Sequence, residues 1–330
     1  MNAATAAYLG RIAFGPPQTH RNIVVFPLLG PDAGPAPYLT LSEALAGHCV
    51  IVTEASEGGS VPELKVISQS DRPILLLDGE ELVGAKQNRV LNTTILLKER
   101  AETTIPVSCV EQGRWSYASA HFADSGAVMS RKSRASKVRS VSESLAAGAH
   151  YSSDQGEVWR EVAALACSAG VNSPTHAMRD VFKARATELE ACARVFAPTA
   201  GQTGLFVAID GEVAGFDLIA HADAYARLHP KLLKSHLIDA LIEPKPGAVE
   251  VAKAAAAAQA FLHEAGESDE KAFESVGYGR DYRYQKPGLA GSALVHEDRV
   301  VHMAFFRLPK GESAGSSMAS LRQRRRRFSE

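Results

Sequence analysis

Two short stretches of this sequence hold more chemistry-bearing side chains than a scaffold needs: DGEELVGAKQNRVLN, residues 78–92, and CVEQGRW, residues 109–115. They bring Glu80, Glu81, Lys86, Gln87, Asn88, Arg89 and Asn92, then Glu111, Gln112 and Arg114, into an otherwise apolar, strand-like pattern. Polar groups are costly to bury unpaired, so this set must be exposed, mutually bonded or bound to a ligand. Arg89 and Lys86 could clamp a phosphate or carboxylate group, with Gln87, Asn88, Asn92, Gln112 and Arg114 orienting the rest of a ligand. Glu81 or Glu111 could act as acid or base, or hold a divalent cation if the reaction uses one. The plainer reading is an ion-pair network that ties a loop to a sheet.

Strand geometry limits what these residues can do together. Neighbours in a strand point to opposite faces, so Glu80 and Glu81 share a pocket only if a bulge intervenes. Gly84 is a natural bulge or close-approach position. Lys86 and Asn88 are expected on one face, Gln87 and Arg89 on the other. Cys109 ends an apolar run, where it is either a nucleophile beside Arg114 and His121 or a packed core thiol. No metal site is assigned. His48 and Cys49 are adjacent, and His229 and His236 are a heptad apart with Pro230 between, which fits solvated or core histidines better than ligands. The chain has no H-E-x-x-H, G-x-S-x-G, Walker A or G-x-G-x-x-G sequence.

The elements that must position these groups read as β first and helical later. Apolar runs at 22–29, 50–53, 64–68, 73–77, 90–97 and 103–110 are punctuated by Gly, Pro and Ser, with a helical turn at 41–46. Asp78-Gly79 and Asp210-Gly211, each between apolar runs, predict two hairpins. Residues 118–154 are rich in Ser, Ala and Gly and carry Arg131, Lys132, Arg134, Lys137 and Arg139, which reads as a long basic loop. Helical spacing follows at 155–168, with Trp159, Val162, Ala163 and Ala166 as a stripe. It continues at 173–196, with Ser173-Pro174 as cap and first turn. Further helices are expected at 228–241 and 249–265, a strand pair at 294–306, and a disordered basic tail at 311–330.

The expected fold is α+β. A β-rich N-terminal unit, sandwich or barrel-like, spans 1–117 and carries the polar set. The basic loop spans 118–154, and a helical and hairpin unit at 155–310 packs against the first. The 330 residues, 45% hydrophobic and 22% charged, suffice for a large core. A net charge of -1 gives no electrostatic reason to expect nucleic acid. Four cysteines without a C-x-x-C pair, no secretory signal and no membrane-spanning apolar run make a cytoplasmic protein the default.

The segments RPILLLDGEELVGAKQNRVLNTTILL, TIPVSCVEQGRW and GQTGLFVAIDGEVAGFDL resemble a bacterial family, the ADP-ribosylglycohydrolase- and rhodanese-phosphatase-associated protein domain. The likeness runs from Asn22 to the hairpin near Phe306, and its signature falls on the ten polar residues named above. The basic insert and the arginine tail lie outside that signature. The resemblance implies a setting among proteins that process NAD and ADP-ribose. The expectation is therefore an enzyme acting on a phosphorylated, nucleotide-like small molecule. The rival is a non-catalytic nucleotide- or partner-binding module, and a third reading has the polar set join protomers of a homo-oligomer.

Overall fold

The computed structural model describes residues 1–31, 33–56, 58–242 and 250–308. The fold is α+β, as expected. Among the described residues, helices and three sheets share the chain. The nine-stranded antiparallel sheet orders Ala13–Phe14, Ile23–Leu29, Gly204–Ile209, Glu212–Ile219, Arg299–Arg307, Leu289–His296, Arg280–Lys286 and Asp269–Glu274, with Gln18–His20 also on Ile23–Leu29. The six-stranded sheet orders Phe122–Val128, Glu80–Gly84, Arg89–Leu91, Glu102–Cys109, Glu63–Ser68 and Val50–Glu54. Ile95–Leu97, Ile74–Leu76 and Leu39–Thr40 form a third, small sheet.

Period-two alternation explains how the large sheet takes helices on both faces. Ile23, Val25, Leu205 and Val207 join a core with helices Gln155–Ala169, Met178–Ala184, Ala186–Ala193 and Ala222–Ile242. Val24, Phe26, Phe206 and Ala208 face the other way, against Tyr8 of helix Ala3–Leu9 and Ala254, Ala258 and Phe261 of helix Val251–Gly266. A third cluster, including Leu64, Val66, Leu82, Leu91 and Val107, fills the six-stranded sheet.

Several expectations need correction. Strand Ile23–Leu29 pairs with Gly204–Ile209, so the sheets do not divide into a 1–117 unit and a 155–310 unit. Asp210-Gly211 does close a hairpin, with φ of 55° and 76° at the two turn residues. Asp78-Gly79 does not. Ile74–Leu76 pairs with Ile95–Leu97 and Leu39–Thr40, while Glu80–Gly84 pairs in the six-stranded sheet. This Asp-Gly is a corner between sheets. Helix Gln155–Ala169 buries Val158, Val162, Leu165 and Ala169 rather than the stripe expected through Trp159 and Ala163. The next helix starts at Met178, and Ser173 accepts the Ala177 N–H at 2.8 Å from outside it. Helix Ala222–Ile242 runs through Pro230. The expected tail at 311–330 lies outside the described residues.

The largest correction concerns 118–154. In place of a loop there is strand Phe122–Val128 and then helix Arg131–Ala146, capped by Ser130, whose side chain accepts the Ser133 N–H. Ser133 through Ser142 are all buried. Its charges are held by distant partners. Arg134 donates to both oxygens of Asp217 at 3.0 and 2.7 Å, Lys137 bonds Asp78 and the Leu91 carbonyl, and Arg139 bonds Glu157 at 2.6 Å. Asp217 also receives His236 Nε2 at 3.0 Å and lies 3.5 Å from His302 Nε2. Thr94 links its hydroxyl to His302 Nδ1 at 2.7 Å and accepts the Asp78 N–H. Thr93 donates to Asp281, which Arg283 grips through two nitrogens. The six- and nine-stranded sheets thus meet across charge-assisted bonds. The sequence pattern concealed the helix because its buried face is polar.

Candidate functional site

The polar set is organised by the pairing of Glu80–Gly84 with Arg89–Leu91 and of Arg89–Leu91 with Glu102–Cys109. Directly opposed residues share a sheet face. Arg89 opposes Leu82 and Cys109; Glu81 opposes Val90, which opposes Ser108. Arg89 and Glu81 therefore leave the sheet on opposite sides, and the polar residues do not all line one recess. Alternation along the strand is the physical reason.

On the Arg89 side, six of the expected residues come together, Lys86 among them. Glu111 accepts the Asn88 N–H at 3.0 Å and Arg114 Nη2 at 2.6 Å on one oxygen, and the Thr175 hydroxyl at 2.9 Å on the other. Burial alone would raise the pKa of its carboxyl, but Arg114, the Asn88 N–H and Thr175 outweigh burial and hold it below the ordinary value. Gln87 donates to the Glu111 carbonyl at 3.0 Å and accepts Arg89 Nη1 at 2.8 Å. Arg114 also donates to the carbonyls of Gly84, Ala85 and Ser116 and to the Asn88 side chain. Glu111 and Arg114 are therefore anchors that fix the loop.

Arg89 is different. It is fully buried, yet among the described residues Nε and Nη2 make no hydrogen bond of acceptable geometry, although Cys109 stands beside the guanidinium. Burial pulls its pKa down, while Cys109 and Glu54 favour the charge. Cys109 is buried as well. The Glu54 carboxylate accepts the Lys86 N–H at 3.1 Å through one oxygen, and the other has no hydrogen-bond partner among the described residues. Above these groups lies an exposed loop. The Trp115 ring centre is 5.8 Å from the Arg89 guanidinium carbon, and Lys86 Nζ is 5.4 Å from Trp115 and 5.1 Å from Tyr117. Lys86 also donates to the Gly58 carbonyl at 2.7 Å. Trp115 and Tyr117 are 49% and 55% exposed. The loop can lie so close because residue 84 is glycine, at φ 122°. A Cβ there would collide with Ser119 and stand 2.8 Å from the His121 carbonyl. Gly84 is thus the close-approach position its sequence context suggested.

The other expected residues lie apart. Glu80 is buried in an ion pair with Lys231 at 2.8 Å, which Asp124 shares, and it accepts the Leu77 N–H. Asn92 bridges the Tyr151 carbonyl and Ser108. Gln112 is exposed. Glu81 is buried, with neither oxygen hydrogen-bonded at acceptable geometry. Burial pushes its pKa up to about 7, Glu111 and Asp180 add to the rise, and Ser125 and Arg179 oppose it. Desolvation without a compensating bond favours the neutral acid.

Sequence reasoning missed Glu54, Thr175, Trp115 and Tyr117. Thr175 is tied to the site by the Gly113 N–H to its carbonyl at 2.8 Å. Arg114 three residues after Glu111 was the local clue; the other contacts join distant parts of the chain. His229 and His236 are core residues, bonded to the Phe196 carbonyl and to Asp217. Among the described residues no three of His, Cys, Asp and Glu gather as metal ligands, and no helix is long and apolar enough to cross a membrane.

No curated protein and no solved structure matches this chain. The family model of the ARG and Rhodanese-Phosphatase-superfamily-associated Protein domain does, over residues 11–306. That span takes in both strands of the polar set, the loop above them, Thr175 and the helix that joins the sheets, so the chain belongs to this family.

Proposed function

We propose that the Arg89 face binds a phosphorylated, nucleotide-like small molecule of the ADP-ribose class. Arg89 and Lys86 would meet its phosphates, and Trp115 and Tyr117 would flank a base or sugar. The observation that carries this reading is the pair of N–H groups on buried Arg89 that find no well-aligned partner among the described residues. A desolvated guanidinium with spare donors gains most from an oxyanion. Trp115, half exposed above it, is the side chain whose movement would admit one. The family's association with ARG and rhodanese-phosphatase proteins suggests the ligand class.

The test is calorimetric titration with ADP-ribose. Arg89→Gln is expected to weaken binding at least tenfold, and Trp115→Ala to weaken it less. Trp115 fluorescence, isolated by Trp159→Phe, should change on titration. An unchanged dissociation constant in Arg89→Gln refutes the reading.

A catalytic version of this proposal rests on Glu81. A buried carboxyl titrating near 7 suits proton transfer at neutral pH. It lies across the sheet from Arg89, so it would act only on a ligand group reaching the Met178–Ala184 side. Glu81→Gln is then expected to keep ADP-ribose binding and abolish turnover; full turnover in that variant removes Glu81 from the chemistry. Glu111, held as a carboxylate by three donors, serves as an anchor in either version.

A further inference from the structure

A recess of about 430 Å3 shares no lining residue with the Arg89 face. That volume lies within the usual range of small-molecule clefts, roughly 300–1,000 Å3. One wall is a single face of helix Ala3–Leu9 and its exit. Ala4, Ala7, Tyr8 and Arg11 follow the i, i+3, i+4, i+7 spacing that aligns side chains along a helix. The opposite wall is the tip of the Leu289–His296 and Arg299–Arg307 hairpin, where Glu297 and Asp298 turn the chain with φ of 49° and 56°. That turn delivers Asp298 and Arg299 to the recess, and His221 closes one side.

Arg11 and Arg299 are exposed, and neither side chain makes an ion pair or hydrogen bond with a described residue. Among the described residues, buried and half-buried cations such as Arg114, Arg134 and Arg283 are paired. Tyr8 is 9% exposed; its hydroxyl stands beside Thr203 without a hydrogen bond of acceptable geometry. A Cβ at position 30 would collide with that hydroxyl, so Gly30 makes room for it. Burial keeps the phenol protonated, and it is therefore a donor. Arg11, Arg299 and Tyr8 line a cleft whose remaining walls are largely alanine, proline and valine.

We propose that this recess binds a small aryl phosphate, with the phosphoryl group between Arg11 and Arg299 and the ring against Ala7 and Tyr8. Each guanidinium can offer a fork of N–H donors to phosphate oxygens. Asp298 offsets one of the two positive charges, which favours a single phosphoryl group over a polyphosphate. The small residues on the helix face accept a flat ring where longer side chains would fill the space. This site is independent of the one proposed around Arg89.

The experiment is calorimetric titration of the full chain with phenyl phosphate, and with phenol and inorganic phosphate as its separated halves. The expected result is saturable binding of phenyl phosphate, weaker binding of inorganic phosphate and none of phenol. The double variant Arg11→Gln/Arg299→Gln alters only exposed side chains, so its fold should be retained, and it should bind phenyl phosphate at least tenfold more weakly. Ala7→Trp, which fills the cleft and leaves both arginines, should also block binding. Arg89→Gln should leave it unchanged. The proposal is overturned if phenyl phosphate shows no saturable binding, if the double variant binds it as tightly as the parent, or if Arg89→Gln abolishes it.

Discussion

Replacing Glu81 by Gln should stabilise the protein at alkaline pH and leave it nearly unchanged in mild acid. Glu81 is buried, its oxygens make no hydrogen bond of acceptable geometry among the described residues, and burial pushes its pKa from 4.5 up to about 7. The folded chain therefore keeps this proton between those values while the unfolded chain releases it. Stability linked to Glu81 is full below 4.5, falls as pH rises toward 7, and is flat beyond. The interval between the two values corresponds to about 3 kcal/mol, since each pKa unit is worth 1.36 kcal/mol. Glutamine is neutral throughout, so the difference between variant and parent isolates this one group from every other titration. Urea unfolding at pH 5 and pH 8 measures it. With a denaturant slope of about 3 kcal/mol per molar, the variant's midpoint should exceed the parent's by roughly 1 M at pH 8 and by much less at pH 5. An equal difference at the two pH values would show that Glu81 is ionised or bonded in the folded chain, and the burial argument would fail.

Asp217→Asn should cost about 3–5 kcal/mol, because it strips the counter-charge from Arg134 in a fully buried pair. Spread over 330 residues, that lowers the melting temperature by roughly 4–7 °C. Asp71→Asn, at the exposed Arg100 pair, is the control and should not change the melt measurably. Burial alone would raise the pKa of Asp217, but Arg134, His236 and His302 hold it well below the ordinary value. Its contribution is present above the normal carboxylate range and is lost as pH falls through the folded value, so the variant and parent melts should converge in strong acid. Gly84→Ala should cost about 1–3 kcal/mol in thermal unfolding, because the added Cβ meets Ser119 and the His121 carbonyl and the backbone is in a glycine conformation.

What the sequence disclosed follows how local each decision is. The hairpin at Asp210-Gly211 and the strand pair around His296 were legible because turn and partner strands are neighbours in the chain. Asp78-Gly79 carries the same dipeptide, yet Ile74–Leu76 finds its partner at Ile95–Leu97, a choice made by tertiary packing. Helix Arg131–Ala146 was illegible because the groups that make its burial tolerable are Asp78, Asp217 and Glu157, the first two 59 and 83 residues from their partners. At the candidate site, the sequence shows the abundance of polar groups but not which of them meet. Their division between two faces depended on the register of Glu81 with Val90 and of Leu82 with Arg89, and short strands with bends between them do not announce their register.

The charged interior of helix Arg131–Ala146 constrains how this chain can diverge. An apolar contact tolerates drift, because one aliphatic side chain can stand in for another of similar volume. A desolvated lysine against Asp78 or a forked arginine against Asp217 has no such latitude, and losing either half strands the other away from water. Substitutions along this seam must therefore arrive as matched swaps, so that in related chains the residues aligned with 78 and 137, and with 134 and 217, should change together or not at all.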